Sequence, residues 1–380
     1  MNISLIIDSN YLLYKAVFIL KKLRRIKQDL PDLLMNDFNK ISKSFAFNNI
    51  YFVSDSKQGN WRKLVYKDYK GKREKDESID WDFVFSTFEE FKEKIRNKKN
   101  IKYLELVGLE GDDFISYATS SCNNKGESCI ILSSDKDLNQ LVKYHLNKKY
   151  INIQWNYKFS DERIYLPKNY QLVIEELSNS VNENIFELDN SSEFIKYVDN
   201  LINRTKTKTI SYEEVMVCKI LEGDDGDNIP SVIKIKDGKV NNDGRGIGED
   251  GALTIYKLYK EIHPKPIDID SDEFVNNLSD VVIFHKKIKD VTAKDILKQN
   301  IIFNRKLIIL DPKYMPKVTY DNMKSFFNEV DNRVIEYEIE DLETKLEEED
   351  FFNVKEIDIP EQFNLESDGE TFDPDSFWEI

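Results

Sequence analysis

The sequence predicts an α/β fold, a mostly parallel sheet with flanking helices, followed by a smaller helical block. Two observations carry that reading. ISLIID (3–8), IYFVSD (50–55), YLELVG (103–108) and CIILSSDKD (129–137) are short apolar runs, each ending in an acid or leading straight into one. Between them lie helix-period stretches at about 9–27, 36–47, 81–97, 111–121 and 135–144. Apolar strands alternating with such helices imply parallel strands covered on both faces.

Beyond Tyr150 the pattern weakens. INIQW and ERIYL suit a hairpin at the sheet edge, and the polar, Asn-rich stretch 170–205 carries no functional reading. A second periodic block opens with SYEEVMVCKILEG (211–223). It runs through DDGDNIPS and a Gly- and Asn-rich loop into a helix from Glu249 to about Ile262, and stays helical to about 330.

The net charge of −15 argues at first against a nucleic-acid binder, but it is not evenly spread. From Glu336 to Ile380 there are eighteen Asp and Glu against two Lys, a charge of −16, so the other residues sum to about +1. The acidity is a tail. Cations held by the body's carboxylates would leave its field positive. Cys122, Cys129 and Cys218 form no CxxC pair and no disulfide framework, which fits a reducing cytoplasm. No signal peptide opens the chain and no apolar run matches a membrane span, so no membrane partner is expected.

The carboxylates carry the chemistry. Asp8, Asp55, the group Glu110, Asp112 and Asp113, and the pair Asp135 and Asp137 each follow an apolar run. In a parallel sheet the carboxyl ends of the strands share one rim, where ligands bind. Asp224 and Asp227 add a further pair in GDDGDN. Crowded carboxylates repel unless a cation sits among them, and an all-oxygen set selects Mg²⁺ or Mn²⁺ over Zn²⁺. Nine candidates suggest two ions, the arrangement that clamps both oxygens of a phosphodiester displacement. Each Asp alone also suits a helix N-cap, Asp112 and Asp135 above all; the recurrence of the design favours metal.

Residues 57–75 are rich in Lys and Arg with Trp61, Tyr66 and Tyr69 interleaved, as suits frayed nucleic acid. In 231–248, Gly244, Gly246 and Gly248 allow backbone amides close to phosphate ahead of a helix N-terminus, with Lys234, Lys236, Lys239 and Arg245 as charge. A solvated helix face and a flexible loop are the plainer readings of these two segments.

Taken in order, IIDSN, VSD, YKGKR, LEGDD, SSDKDLNQL, LEGDDGDNIPS and GRGIGEDGA resemble the flap endonuclease and phage 5′-nuclease superfamily, with NWRK, DWDF, IQW and LIILDPKYMP similar to its T-even phage ribonuclease H members. The resemblance covers about residues 1–330. It implies a PIN-like nuclease domain over 1–205 with a helical arch at about 57–97, a helical duplex-binding domain with a helix–three-turn–helix element over 206–335, and a tail at 336–380 outside the pattern. It implies Asp8, Asp55, Glu110, Asp112, Asp113, Asp135, Asp137, Asp224 and Asp227 as metal ligands, with Asp8, Asp112 and Asp135 catalytic beside Lys70 and Arg73 of the arch. Arg62, Lys63, Tyr69, Lys70, Lys72, Arg73, Lys234, Lys236, Arg245, Gly246 and Gly248 are the expected nucleic-acid contacts. The inserted KIKDGKVNND departs from the family pattern.

The expected activity is two-metal hydrolysis of RNA–DNA and DNA duplexes with a free 5′ end or flap, as in primer removal, by a monomer. A PIN-type ribonuclease on single-stranded RNA and a non-catalytic DNA-binding replisome subunit are the rivals. The acidic tail, with Phe377 and Trp378 near its end, suits docking on a sliding clamp or a single-strand DNA-binding protein, or occupation of the chain's own DNA site.

Overall fold

The computed structural model describes residues 2–331 except 58, 73–75, 99, 146–149, 158–161, 169, 173–174, 176–187 and 242, and not the side chains of 188–193. Arg73 and the acidic tail therefore lie outside the described residues.

Strand β1 (Ile3–Asp8) is the centre of the architecture. It pairs in parallel with β2 (Asn49–Val53) on one side and β4 (Ser128–Leu132) on the other. β3 (Lys102–Leu104) adds in parallel outside β2, and β6 (Tyr150–Asn156) outside β4. β5 (Tyr144–His145) and β7 (Arg163–Pro167) both run antiparallel to β6. The expected hairpin of INIQW and ERIYL thus forms, but it is not the edge. β8 (Lys206–Ile210) pairs in parallel with β7 beyond it, giving the order β3-β2-β1-β4-β6-β7-β8.

The two faces bury alternate residues of the same strands. Ile3, Leu5 and Ile7 join one core with α1 (Ser9–Leu23), α2 (Ile26–Ser42) and α4 (Trp81–Arg96), whereas Ile6 faces the other with α5 (Gly111–Asn124) and α11 (Lys317–Asp331). Burial on both faces explains why the strands read as unbroken apolar runs. Among the described residues between β2 and α4 there is one short helix, α3 (Trp61–Val65). The segment expected to belong to an arch through residue 97 is cut short, because Val84, Phe88, Phe91 and Ile95 of α4 are core residues.

The Asn-rich stretch contains a helix, α6 (Leu188–Arg204), that a polar composition concealed. Its Phe194, Val198 and Leu201, at i, i+4 and i+7, are buried against the sheet with Phe45, Phe47 and Tyr197 around them.

A second core is built by α7 (Tyr212–Glu222), α8 (Glu249–Ile262), α9 (Asp272–Lys286) and α10 (Ala293–Ile308). Two segments expected in the second domain pack with the first: β8 belongs to the large sheet, and α11 returns to it with Met323, Phe327 and Val330 buried against Tyr51 and Phe114. Between α7 and α8 the inserted segment is not a flexible loop. β9 (Ile235–Lys236) and β10 (Lys239–Val240) form a two-residue hairpin whose turn, Asp237 and Gly238, has φ of 52° and 73°. Two consecutive positive φ values are what such a turn requires, and Asp-Gly supplies them.

If α6 is part of the sheet's core, Phe194→Ala should cost about 3–5 kcal/mol of unfolding free energy in urea titration. A loss below about 1 kcal/mol would show that α6 is not packed there.

Candidate metal centre and nucleic-acid face

The parallel register sets Asp8 opposite Val53, Val53 opposite Leu104 and Ile7 opposite Leu132, so four strands end at one rim. Asp8, Asp55, Glu110, Asp112, Asp135, Asp137, Asp224 and Asp227 line a single pocket there with Lys70 and Gly226. Eight of the nine expected carboxylates are thus brought together. Asp113 is the exception. It is buried beneath the rim, where its carboxylate accepts from the Trp61 indole (3.1 Å) and the Glu110 amide (3.0 Å) and pairs with Arg62 (2.9 Å). Asp113 takes part in the capping box that opens α5 and, unlike the other eight, does not line the pocket.

Local structure aims these groups. Asp8 caps α1, accepting from the amides of Asn10 and Tyr11, while its second oxygen accepts from the Ser133 hydroxyl at 2.7 Å. Asp55 accepts from the Gly111 amide at 2.5 Å, at the N-terminus of α5. A Cβ on Gly111 would stand 2.9 Å from that carboxylate oxygen, so only glycine admits the contact. Asp135 accepts from the Asp137 amide, and Asp224 from the Asp227 amide. Gly223 turns the chain into this loop with φ of 78°, and a Cβ there would lie 2.3 Å from the Ile229 carbonyl oxygen.

The electrostatics divide the pocket. Burial lifts Asp8 to about 7, and burial followed by the charges of Asp135, Asp8 and Asp55 pushes Asp112 well above the usual carboxylate range. Asp55 is raised for the same first reason, with Lys70 opposing. Burial would raise Glu110 too, but Lys70 and Arg62 overcome it and hold the group at about 2. Protein cations already neutralise part of the cluster. Lys70 pairs with Glu110 (2.5 Å) and stands 3.8 Å from Asp227, and Lys219 bridges Asp137 (2.6 Å) and Asp224 (3.1 Å).

Among the described residues no three acidic, His or Cys side chains close into a ready metal-binding group. The donor set nevertheless fits a hard divalent cation. It is all oxygen, its charge is in excess of the nearby lysines, and Mg²⁺-type ions take only one or two direct carboxylates and keep their waters. Lys70 and Lys219 explain the open spacing, since each draws carboxylates toward an ammonium.

The arch base is less of a nucleic-acid surface than its composition implies. Arg62 is 2% exposed, pairs with Glu110 and Asp113, and donates to the Leu307 carbonyl. Tyr69 is equally buried, with its hydroxyl bonded to Glu110 and Asp227. The polar atoms of both are turned inward to the cluster and away from the surface expected to meet nucleic acid. Lys63 and Lys72 are exposed, and Lys70 lines the pocket. In the second domain Lys234, Lys236, Lys239, Arg245, Gly246 and Gly248 are all exposed. Gly244 and Gly246 have packing roles as well, since a Cβ at either would meet Ile235 backbone or Ser231.

Residues 4–171 match the family model described as 5′-3′ exonuclease, N-terminal resolvase-like domain. A 5′-3′ exonuclease of Mycoplasmopsis pulmonis is 23% identical over 348 residues, 91% of this chain and 96% of that protein. Ribonuclease H of Enterobacteria phage T4 is 26% identical over 136 residues, 32% of this chain and 45% of that protein. These matches support a relation to the flap endonuclease and 5′-nuclease superfamily. The chain is a 5′-3′ nuclease. Its fold is shared with the bacteriophage T5 5′-exonuclease bound to zinc, at 15% identity and a TM-score of 0.52, covering 87% of this chain and 98% of that one. The bacteriophage T5 flap endonuclease in a pseudo-enzyme–product complex with DNA and metal ions has a TM-score of 0.53 at the same identity and coverage.

Lys219 was not among the residues picked from this nuclease's sequence. The available signal was a single Lys in the apolar run of α7, five residues ahead of Asp224. Ser133 was likewise hidden, an ordinary Ser whose value lies in reaching Asp8 from the neighbouring strand.

Two outcomes follow for the nuclease without added cations. Asp8 contributes stability that is present in full below its unfolded value near 3.8 and is lost as pH rises through about 7. Glu110 and Asp331, held near 2, contribute in full above about pH 5 and do not offset this. The melting temperature in EDTA should therefore fall from pH 5 to pH 8, and a divalent cation should restore it at pH 8. A melting point that rises over this range, or ignores the cation, contradicts the assignment. Arg62→Ala strands Glu110 and Asp113 in the interior and should cost about 3–5 kcal/mol of stability. A near-wild-type urea midpoint would return Arg62 to the surface.

Proposed function

We propose that this nuclease cleaves DNA and RNA–DNA duplexes at a free 5′ end or flap, using two divalent cations, Mg²⁺ with Mn²⁺ able to substitute. The observation that supports this most is the single pocket of eight carboxylates with Lys70 on its wall. The names and titles of the relatives, exonuclease, ribonuclease H, and a flap endonuclease with DNA and metal ions, point to the same substrate class.

The pocket suggests two holding groups. Asp8, Asp55, Glu110, Asp112 and Asp135 are gathered where the strands end, and Asp137, Asp224 and Asp227 where Lys219 joins the sheet domain to the second domain. Bound cations would supply Lewis acidity for activating water and for neutralising charge on the phosphate. The protein's own part is orientation. Ser133 fixes Asp8, the start of α5 fixes Asp55, and Arg62 with Tyr69 fixes Glu110. Lys70 is held at a φ of 54° by a hydrogen bond from its amide to the Asp227 carbonyl, so its ammonium faces the pocket. There it can meet a phosphoryl oxygen as charge develops. Exposed lysines of the second domain would hold the duplex by its backbone, which makes recognition one of shape rather than sequence.

Asp112→Asn or Asp135→Asn should abolish cleavage of a labelled 5′-flap while duplex binding persists, and normal turnover in either variant removes the residue from the centre. Lys70→Ala should lower kcat with little change in KM, by about 2–4 kcal/mol in activation free energy. A rise in KM alone would make Lys70 a binding residue. Equal cleavage of plain single-stranded RNA and of flaps would favour the ribonuclease rival.

A further inference from the structure

The inserted hairpin does not stand alone. The Lys289 amide donates to the Gly238 carbonyl at 3.3 Å, and the Lys287 carbonyl oxygen lies 3.8 Å from where a Cβ on Gly238 would be. The hairpin tip is therefore seated on the turn between α9 and α10. On the other side, Ile235 and Arg245 exchange both backbone hydrogen bonds, at 3.0 and 3.1 Å. Clamped at both ends, the hairpin is a fixed element.

Its charge is unfavourable as it stands. Lys236 and Lys239 are directly opposite each other across the two strands, an arrangement of like charges that destabilises a hairpin. The turn below adds Lys287 and Lys289, both exposed, and the acids of the two turns, Asp237 and Asp290, are outnumbered. Phe284, in the last turn of α9, and Val291, on the α9–α10 turn, are 74% and 93% exposed. The helix N-terminus beside this surface cannot serve an anion equally well, because the first turn of α8 already carries Glu249 and Asp250. A polyanion laid over the hairpin would relieve the opposed lysines and cover the apolar groups. None of these residues lines the carboxylate pocket.

We propose that the β9–β10 hairpin and the α9–α10 turn form one composite platform that grips the phosphate backbone of a duplex arm. This rests on the nucleic-acid reading given above and extends it to a surface built by the insertion. Lys239, Lys287 and Lys289 carry the phosphate contacts, and Phe284 and Val291 lie against sugar.

The test is equilibrium binding of a short blunt DNA duplex to the full chain in EDTA, where no cleavage occurs. Lys239→Ala/Lys287→Ala/Lys289→Ala should weaken binding roughly tenfold or more at low salt, and flatten the log–log salt dependence by about 2–3. The triple Arg variant should keep both. Unchanged or tighter binding by the Ala variant overturns the platform and leaves these lysines to another polyanion, such as the chain's own residues 336–380. Loss of salt sensitivity equally in the Arg variant overturns it too, because charge is retained there. Absence of flap cleavage by the wild-type chain with divalent cations would sink the proposed activity alone, since duplex binding in EDTA is read without it.

Discussion

Carboxylates confined to one small volume repel one another, and much of this protein answers that repulsion. Eight of them line one pocket, and burial makes each charge harder to sustain. The chain meets the difficulty with directed donors and with its own cations. The amide at the start of α5, the Ser133 hydroxyl and the amides of α1 each take one carboxylate oxygen. Arg62, Lys70 and Lys219 take others. Because these cations come from two separate segments, the arch base and α7, the pocket also ties those segments together. Tyr69 and Lys70 join the arch base to the Asp227 loop, and Lys219 joins α7 to the end of β4.

The division of labour among the cations has a chemical logic. Arg62 is fully inside, permanently charged, and forked between Glu110 and Asp113, which suits a fixed support. Lys70 and Lys219 are partly accessible ammonium groups on flexible stems. Each already offsets part of the carboxylate charge, Lys70 at Glu110 and Lys219 at Asp137 and Asp224.

How much of this was legible in the sequence depends on the physical source of each signal. Strands buried on both faces must be apolar throughout, so β1, β2 and β4 stood out, and the acids after them followed from strand direction. Helix α7 matched the expected span 211–223 closely because Ser211 and Gly223 cap it, and α8 matched 249–262, with Gly248 at its N-cap. Burial of charged side chains was not legible. Arg62 and Tyr69 look like surface groups until the acids that pull them inward are placed in space. α6 escaped because a helix needs only a narrow apolar stripe, here Phe194, Val198 and Leu201, and the rest of its surface is free to be polar. The return of α11 to the sheet is a long-range contact, which no local pattern encodes. The hairpin had a local signature, Asp-Gly between short alternating runs, but it was masked by its place in a Gly-rich segment.

The joining of Lys70 to Asp227 bears on the order in which the chain is made. The Lys70 amide hydrogen bond spans more than 150 residues of sequence, and Asp224 and Asp227 follow the first domain's strands. A growing polypeptide that has emerged only as far as the central sheet holds Asp8 through Asp137 but lacks the loop that closes the pocket and the lysine of α7 that steadies it. Its Tyr69 hydroxyl is missing the Asp227 carboxylate, and α11 has yet to cover Tyr51 and Phe114. Synthesis thus delivers the last walls of the pocket, the Asp224–Asp227 loop and Lys219, only once the second domain has been translated.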